Sequence, residues 1–113
     1  MTDCIFCRIV SGEFGTELLG ETEHAVAFRD INPEMPVHLL VVPKKHYRDI
    51  TDLVAADADA LIDVAQLAAR LAEEHTSDGS YKFLFNTGEN AGQTVFHAHA
   101  HILSQMPKSN SLD

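Results

Sequence analysis

Between Asp57 and His75 the apolar residues Leu61, Val64, Ala65, Ala68, Leu71 and Ala72 recur every three or four positions. That spacing places them on one stripe of an α-helix, and Asp78-Gly79 marks where it stops. The other apolar stretches are shorter and suit strands. Glu23 to Asp30 carries the run Ala25-Val26-Ala27-Phe28, and His38 to Val42 is a solid apolar run stopped by Pro43. Tyr81 to Thr87 alternates, with Tyr81, Phe83 and Phe85 on one face, and Val95 to Leu103 reads as a last strand. The segment Ile31 to Pro36 holds two prolines and forms no regular element, while Gly88 to Gly92 is a loop. Cys4 to Ser11 predicts a short helix closed by Gly12, and the polar stretch from Ser104 to Asp113 is expected to be a loose tail. The pattern predicts a single α+β domain over residues 1–113. It has an antiparallel sheet of about five strands, one long helix and a short N-terminal helix, with the helices on one side.

Composition narrows the class. The chain has 113 residues, 45% of them hydrophobic, which fits one folded domain and argues against disorder. No apolar run approaches the length of a membrane span. The opening Met1-Thr2-Asp3-Cys4 is not followed by the pattern of a secretory signal, so a cytoplasmic location is expected. Seventeen acidic residues against eight basic ones give a formal charge of −9. That excludes a nucleic-acid polymer as partner, because such binding relies on many lysines and arginines at phosphates. A small anion remains admissible if local N–H groups and imidazoles hold it. The two cysteines, Cys4 and Cys7, are too few for a disulfide framework, and their Cys-x2-Cys spacing leaves metal binding, redox chemistry or plain burial.

The chemistry is concentrated in His97-Ala98-His99-Ala100-His101. On a strand, alternate side chains share a face, so the three imidazoles are expected to project together at roughly 6.6 Å intervals. Three histidines at period two are hard to account for as core or surface residues, although a single one would be easy to account for so. A metal site recruiting a carboxylate such as Asp30 is one alternative. Phosphorus chemistry is the other. A neutral imidazole is nucleophilic near pH 7. Its phosphorylated form is a good leaving group for a second displacement, and its neighbours can donate hydrogen bonds to the charged oxygens.

Three separated segments resemble the histidine triad (HIT) superfamily. They are Asn86 to Leu103, which contains the His-φ-His-φ-His-φ-φ signature, Asp30 to His46 with Asp30-Ile31-Asn32-Pro33 and Pro36 to His46, and the start Cys4-Ile5-Phe6-Cys7. The resemblance covers about residues 3 to 105 and is nearest to the Hint-like branch of nucleoside phosphoramidases. It implies that His99 is the nucleophile, that His101 binds the phosphate, and that His38 is a fourth, supporting histidine. Asp30 would hold the ribose hydroxyls, and Phe28 and Ile31 would form an apolar slot for the base, core packing being the alternative for those two. Asn86 and the backbone N–H groups of Gln93 and Thr94 would cradle the phosphate, with Gly92 allowing close approach. Thr94 would also donate to the leaving group. Related bacterial proteins and hexose-1-phosphate uridylyltransferases carry a structural zinc, and the matching residues here are Cys4, Cys7, His46 and His97. No organic cofactor is implied. The family also implies a homodimer paired through the alanine-bearing helix and the Tyr81-Phe83-Phe85 strand. The chain departs from the branch in its ending, Ser104-Gln105-Met106-Pro107-Lys108, which lacks a Trp-Pro-Pro-Gly-like close; leaving-group preference is not implied. The expected activity is hydrolysis of purine nucleoside 5′-phosphoramidates through a nucleotidyl-His99 intermediate. The rivals are a dinucleoside polyphosphate hydrolase, a nucleotide-binding interaction module with weak catalysis, and a metallohydrolase centred on the triad.

Overall fold

The computed structural model describes residues 4–108. Cys4 opens helix α1 (Ile5–Val10) by accepting the Cys7 N–H on its sulfur at 3.3 Å, which satisfies one of the donors a helix start leaves free. Strands β1 (Gly20–Glu21), β2 (Ala25–Arg29) and β3 (Val37–Pro43) follow. Asp49 caps α2 (Ile50–Ala56), and Asp57 caps α3 (Ala58–His75) through the Ala60 N–H while also accepting the Tyr47 hydroxyl at 3.0 Å. Strand β4 (Lys82–Leu84), a single 3-10 turn at Glu89–Ala91, and β5 (Ala100–Ser104) complete the chain.

The five strands form one antiparallel sheet in the order β1-β2-β3-β5-β4. Pleating divides its side chains between two faces. Ala25, Ala27, Leu39, Val41, Ala100 and Ile102 pack against Val64, Leu67, Ala68, Leu71 and Ala72 of α3. Fully burying a Val or Leu side chain contributes roughly 1.5–3 kcal/mol, so this layer supplies much of the stability. The small residues let the layers approach closely. At Gly20 an added Cβ would sit 2.9 Å from Leu67 Cδ1. On the opposite face Val26, Phe28, Leu40 and Val42 pack against Phe6 of α1. The expectation that both helices lie on one side is therefore corrected. The two helices sandwich the sheet, because Phe6 is buried against the even-numbered residues of β2 and β3.

Other details also differ from expectation. The last strand begins at Ala100 and not at Val95. The β3·β5 ladder ends at Val41↔Ala100, and beyond it Pro43 has no N–H to donate. The preceding segment is instead tied by Ala98 N–H to the Tyr47 carbonyl at 2.7 Å. Helix α2 gave no periodic signal, since only Leu53 on it is buried. In α3, Ala65 is exposed, and Leu67 takes the place assigned to it in the buried stripe. The tail is pinned as far as Lys108. Ser104 ends β5, Ser77 N–H donates to the Met106 carbonyl at 2.9 Å, and Lys108 N–H donates to the His75 carbonyl at 3.0 Å. Residues 109–113 of the expected tail lie outside the described residues.

Candidate active site

Four histidines gather on the α1 face of the sheet, and their hydrogen bonds fix which nitrogens carry protons. The Glu34 backbone N–H donates to His38 Nδ1 at 3.0 Å. A neutral His38 therefore carries its proton on Nε2. That nitrogen lies 2.9 Å from His101 Nδ1 and 3.3 Å from Asp30 Oδ2. With His101 Nδ1 accepting, the His101 proton must sit on Nε2. His101 Nε2 is buried and is the one buried side-chain N or O among the described residues with no hydrogen-bond partner. An unpartnered buried donor is costly to maintain, and water, an ion or a catalytic role are the explanations it calls for.

His99 is set the other way. Its Nδ1 lies 2.7 Å from the His97 carbonyl oxygen, so Nδ1–H donates there and Nε2 keeps its lone pair. The His99 and His101 rings are 5.0 Å apart. Burial holds His99 below the usual imidazole pKa, opposed by the His97 carbonyl. His101 is pushed down to about 4, first by burial and then by its neighbours His99 and His38. Both rings are neutral at pH 7. The arrangement places a nucleophilic lone pair beside a free N–H donor.

His97 lies on the same face, its ring also against Phe6, but it turns to other partners. Its ring turns to Pro43, whose carbonyl oxygen lies 2.9 Å from Nε2, while Nδ1 is 3.3 Å from Cys4 Sγ and 3.4 Å from Cys7 Sγ. Cys7 Sγ lies 3.3 Å from His46 Nδ1. The three imidazoles do project to one side, with Ala98 and Ala100 packed on the other, although residues 95–97 bend before the strand starts at Ala100. Cys4, Cys7, His46 and His97 bring two sulfurs and two imidazole nitrogens within 4.8 Å of one another. Zn–S and Zn–N bonds of ordinary length in a tetrahedron put such donors about 3.5 Å apart. The Pro43 carbonyl takes the His97 Nε2–H and leaves Nδ1 aimed at the sulfurs, the usual outer support for a ligating imidazole. The residues fit a structural zinc. A second group of potential ligands, Asp30, His38 and His101, is already explained by the hydrogen bonds above, and His99 belongs to neither group.

The loop before the triad is clamped by one side chain. Gln93 is buried, accepts the Gly88 N–H at 2.9 Å, and donates to the carbonyls of Arg48 and Val95 at 2.8 and 3.0 Å. Its backbone N–H donates to the Gly88 carbonyl at 3.0 Å. That N–H is therefore occupied, which corrects its expected role in a phosphate cradle. Gly92 is required by its backbone, with φ at +94°, and not by crowding, since a Cβ there would meet nothing nearer than 3.9 Å. Thr94 is exposed beside this loop, and Asn86 is half-buried. Asp30 accepts the Asn32 N–H at 2.7 Å. Phe28 is buried with its ring centre 5.6 Å from that of Phe6, and Ile31 is 88% exposed, outside the core.

Sequence reasoning missed four contributors: Phe6, the Glu34 N–H, the Gln93 side chain and the Pro43 carbonyl. Phe6 alone carried a signal, lying between two cysteines in a predicted helix. A cavity of about 420 Å3 between the end of α3 and the start of β3 touches Asp30 and His38 but none of the triad. The reactive nitrogens mark the site better than that volume does.

The HIT domain family model matches residues 11–108. A 13.2 kDa HIT-like protein of Azospirillum brasilense is 40% identical over 88% of this chain and 84% of its own length. The purine nucleoside phosphoramidase of Escherichia coli is 32% identical over 93% of this chain and 89% of its own. A HIT family hydrolase from Clostridium thermocellum superposes with a TM-score of 0.85 at 34% identity, over 100% of this chain and 96% of that one. The antiparallel five-stranded fold and the two flanking sequence motifs agree with these likenesses, and the chain belongs to the histidine triad (HIT) family.

Proposed function

We propose that the protein is a hydrolase of purine nucleoside 5′-phosphoramidates, working by double displacement on His99. The observation that carries the reading is the opposed protonation of two neighbouring rings. His99 presents a lone pair on Nε2, and His101 presents a free N–H. In the first step His99 Nε2 attacks phosphorus, the P–N bond breaks, and the amine leaves with a proton. Thr94 Oγ is the candidate donor. His101 Nε2–H stabilises the non-bridging oxygen as charge builds there. In the second step water attacks phosphorus, its proton restores the Thr94 hydroxyl that gave one to the amine, the P–His99 bond breaks, and the nucleoside monophosphate leaves. His38 and the Glu34 N–H keep His101 in its donor tautomer throughout.

Asp30, Phe28 and Ile31 are assigned to ribose and base, Asn86, Gly92 and the Thr94 N–H to the phosphate, and Cys4, Cys7, His46 and His97 to a structural zinc. A closed four-ligand zinc supplies rigidity and has no open position for substrate. Paired copies are expected through the alanine-bearing helix α3 and edge strand β4, where Phe83 and the preceding Tyr81 are 39% and 38% exposed. The likeness to the E. coli phosphoramidase supports the substrate class. No helix is long and apolar enough to cross a membrane among the described residues.

Assaying adenosine 5′-phosphoramidate against a diadenosine polyphosphate tests the reading. A kcat/KM at least about tenfold higher for the phosphoramidate is expected, which is about 1.4 kcal/mol of transition-state preference. The reverse order would transfer the protein to the dinucleoside polyphosphate hydrolases.

A further inference from the structure

We propose that Phe6 is a positioning residue for the nucleophile. Through it, the helix that carries Cys4 and Cys7 holds the His99 ring with Nδ1–H on the His97 carbonyl and the lone pair on Nε2. The proposal deepens the function proposed above and rests on His99 being the nucleophile.

The Phe6 ring meets the His99 ring in a T-shaped contact at 4.9 Å, with 75° between their planes. It also meets His97 at 6.0 Å and Phe28 at 5.6 Å. Phe6 is the one buried residue of α1. A helix of six residues is not stable by itself, so its place depends on what ties it down. Two things do so: Phe6 in the sheet face, and the two sulfurs that flank it in sequence and reach His97 and His46.

His97 then joins the sulfur cluster to the reactive ring. Its side chain faces the sulfurs, and its carbonyl accepts the His99 Nδ1–H. The His99 ring therefore has two restraints, a hydrogen bond from His97 and a ring contact from Phe6, and both lead back to the same four-residue cluster. One hydrogen bond alone leaves an imidazole able to turn about its Cβ–Cγ bond. Turning exchanges the nitrogen for a carbon at the carbonyl and allows the proton to settle on Nε2, where it removes the nucleophile. The Phe6 ring, 4.9 Å away and 75° to the His99 plane, crowds the space the His99 ring would sweep in turning. The family match begins at residue 11, so Phe6 and both cysteines lie outside the matched segment.

The test uses the zinc-loaded protein with ¹⁵N-labelled histidine, whose nitrogen shifts report which ring nitrogen is protonated. Wild type should show His99 protonated on Nδ1 and bare on Nε2. Phe6→Leu should give a mixture of the two tautomers and slow nucleotidyl transfer at saturating adenosine 5′-phosphoramidate by about tenfold, with kcat falling more than KM rises. Phe6→Tyr, which keeps the ring, should restore both readings. Removing the metal from wild type with a chelator should produce the same His99 change, and should add little to Phe6→Leu. An unchanged His99 pattern in Phe6→Leu, or a loss confined to KM, would overturn the proposal and leave Phe6 as a wall for the base. Wild-type His99 protonated on Nε2 would instead overturn the nucleophile assignment, and the proposal with it.

Discussion

The carbonyl oxygen of His97 accepts the Nδ1–H of His99 at 2.7 Å, so the residue whose ring faces the cysteines also decides which nitrogen of His99 is left to react. The triad is thus two devices in one segment. His97 belongs to a sulfur–imidazole cluster through its ring and to the active site through its backbone. In the proposed mechanism His99 and His101 divide attack and stabilisation between them.

Asp30 lies 3.3 Å from His38 Nε2 and is proposed also to hold the ribose hydroxyls. Asp30→Ala should weaken binding of a purine ribonucleotide more than that of its 2′,3′-dideoxy analogue, by roughly 1.5–3 kcal/mol, the range for a hydrogen bond to a charged group. Calorimetric titration of both ligands against both proteins reads the difference. Equal weakening would assign Asp30 to holding His38 alone, through the 3.3 Å contact.

Gln93 should matter more to folding than to ligand binding. Truncation to Ala leaves the Arg48 and Val95 carbonyls and the Gly88 N–H without the partners they have now. Unsatisfied buried groups cost about 1–3 kcal/mol each, so a loss of about 2 kcal/mol or more is expected in urea denaturation. A variant as stable as wild type would show that water replaces the clamp.

His101 makes stability depend on pH in a definite direction. Its folded-state pKa lies near 4 against 6.5 for a free imidazole, so the unfolded chain binds a proton that the folded one refuses. The contribution is intact above pH 6.5 and is lost as pH falls from about 6.5 to about 4, by about 3 kcal/mol in total. Denaturation midpoints across that window should fall less steeply in His101→Gln than in wild type. Identical slopes would show that His101 is not held neutral by its surroundings.

Protein purified without chelators or a histidine tag should contain about one zinc per chain by elemental analysis. Cys4→Ser should lower that content and lower the melting temperature, since binding at such a site is coupled to folding. Zinc well below one per chain would remove the metal from the account. Zinc found on His99 would support a metallohydrolase instead.

Much of this was legible in the chain because the signals were local. The long helix followed from its three-and-four spacing, and β3 from an unbroken apolar run whose every residue is buried. The four residues proposed to hold zinc and the other histidines were legible as residue types at family spacing. What the sequence concealed is relational. Alternation over 97–101 predicts a regular strand; the side chains do alternate, yet the ladder ends at Val41↔Ala100, next to Pro43, and His97 and Ala98 lie outside it. The cradle role of Gln93 was plausible until its N–H was found on Gly88. The tautomers depend on the Glu34 N–H, and no side-chain pattern records a backbone donor.

Mass spectrometry of the intact protein, quenched in alkali within seconds of mixing with adenosine 5′-phosphoramidate, tests the central claim most directly. Wild type should gain the mass of one adenylyl group, mapping to His99 after digestion, and His99→Ala should gain none and lose several powers of ten in turnover. Turnover without any adduct, or an adduct that persists in His99→Ala with more than about a tenth of the activity, would contradict a mechanism through nucleotidyl-His99.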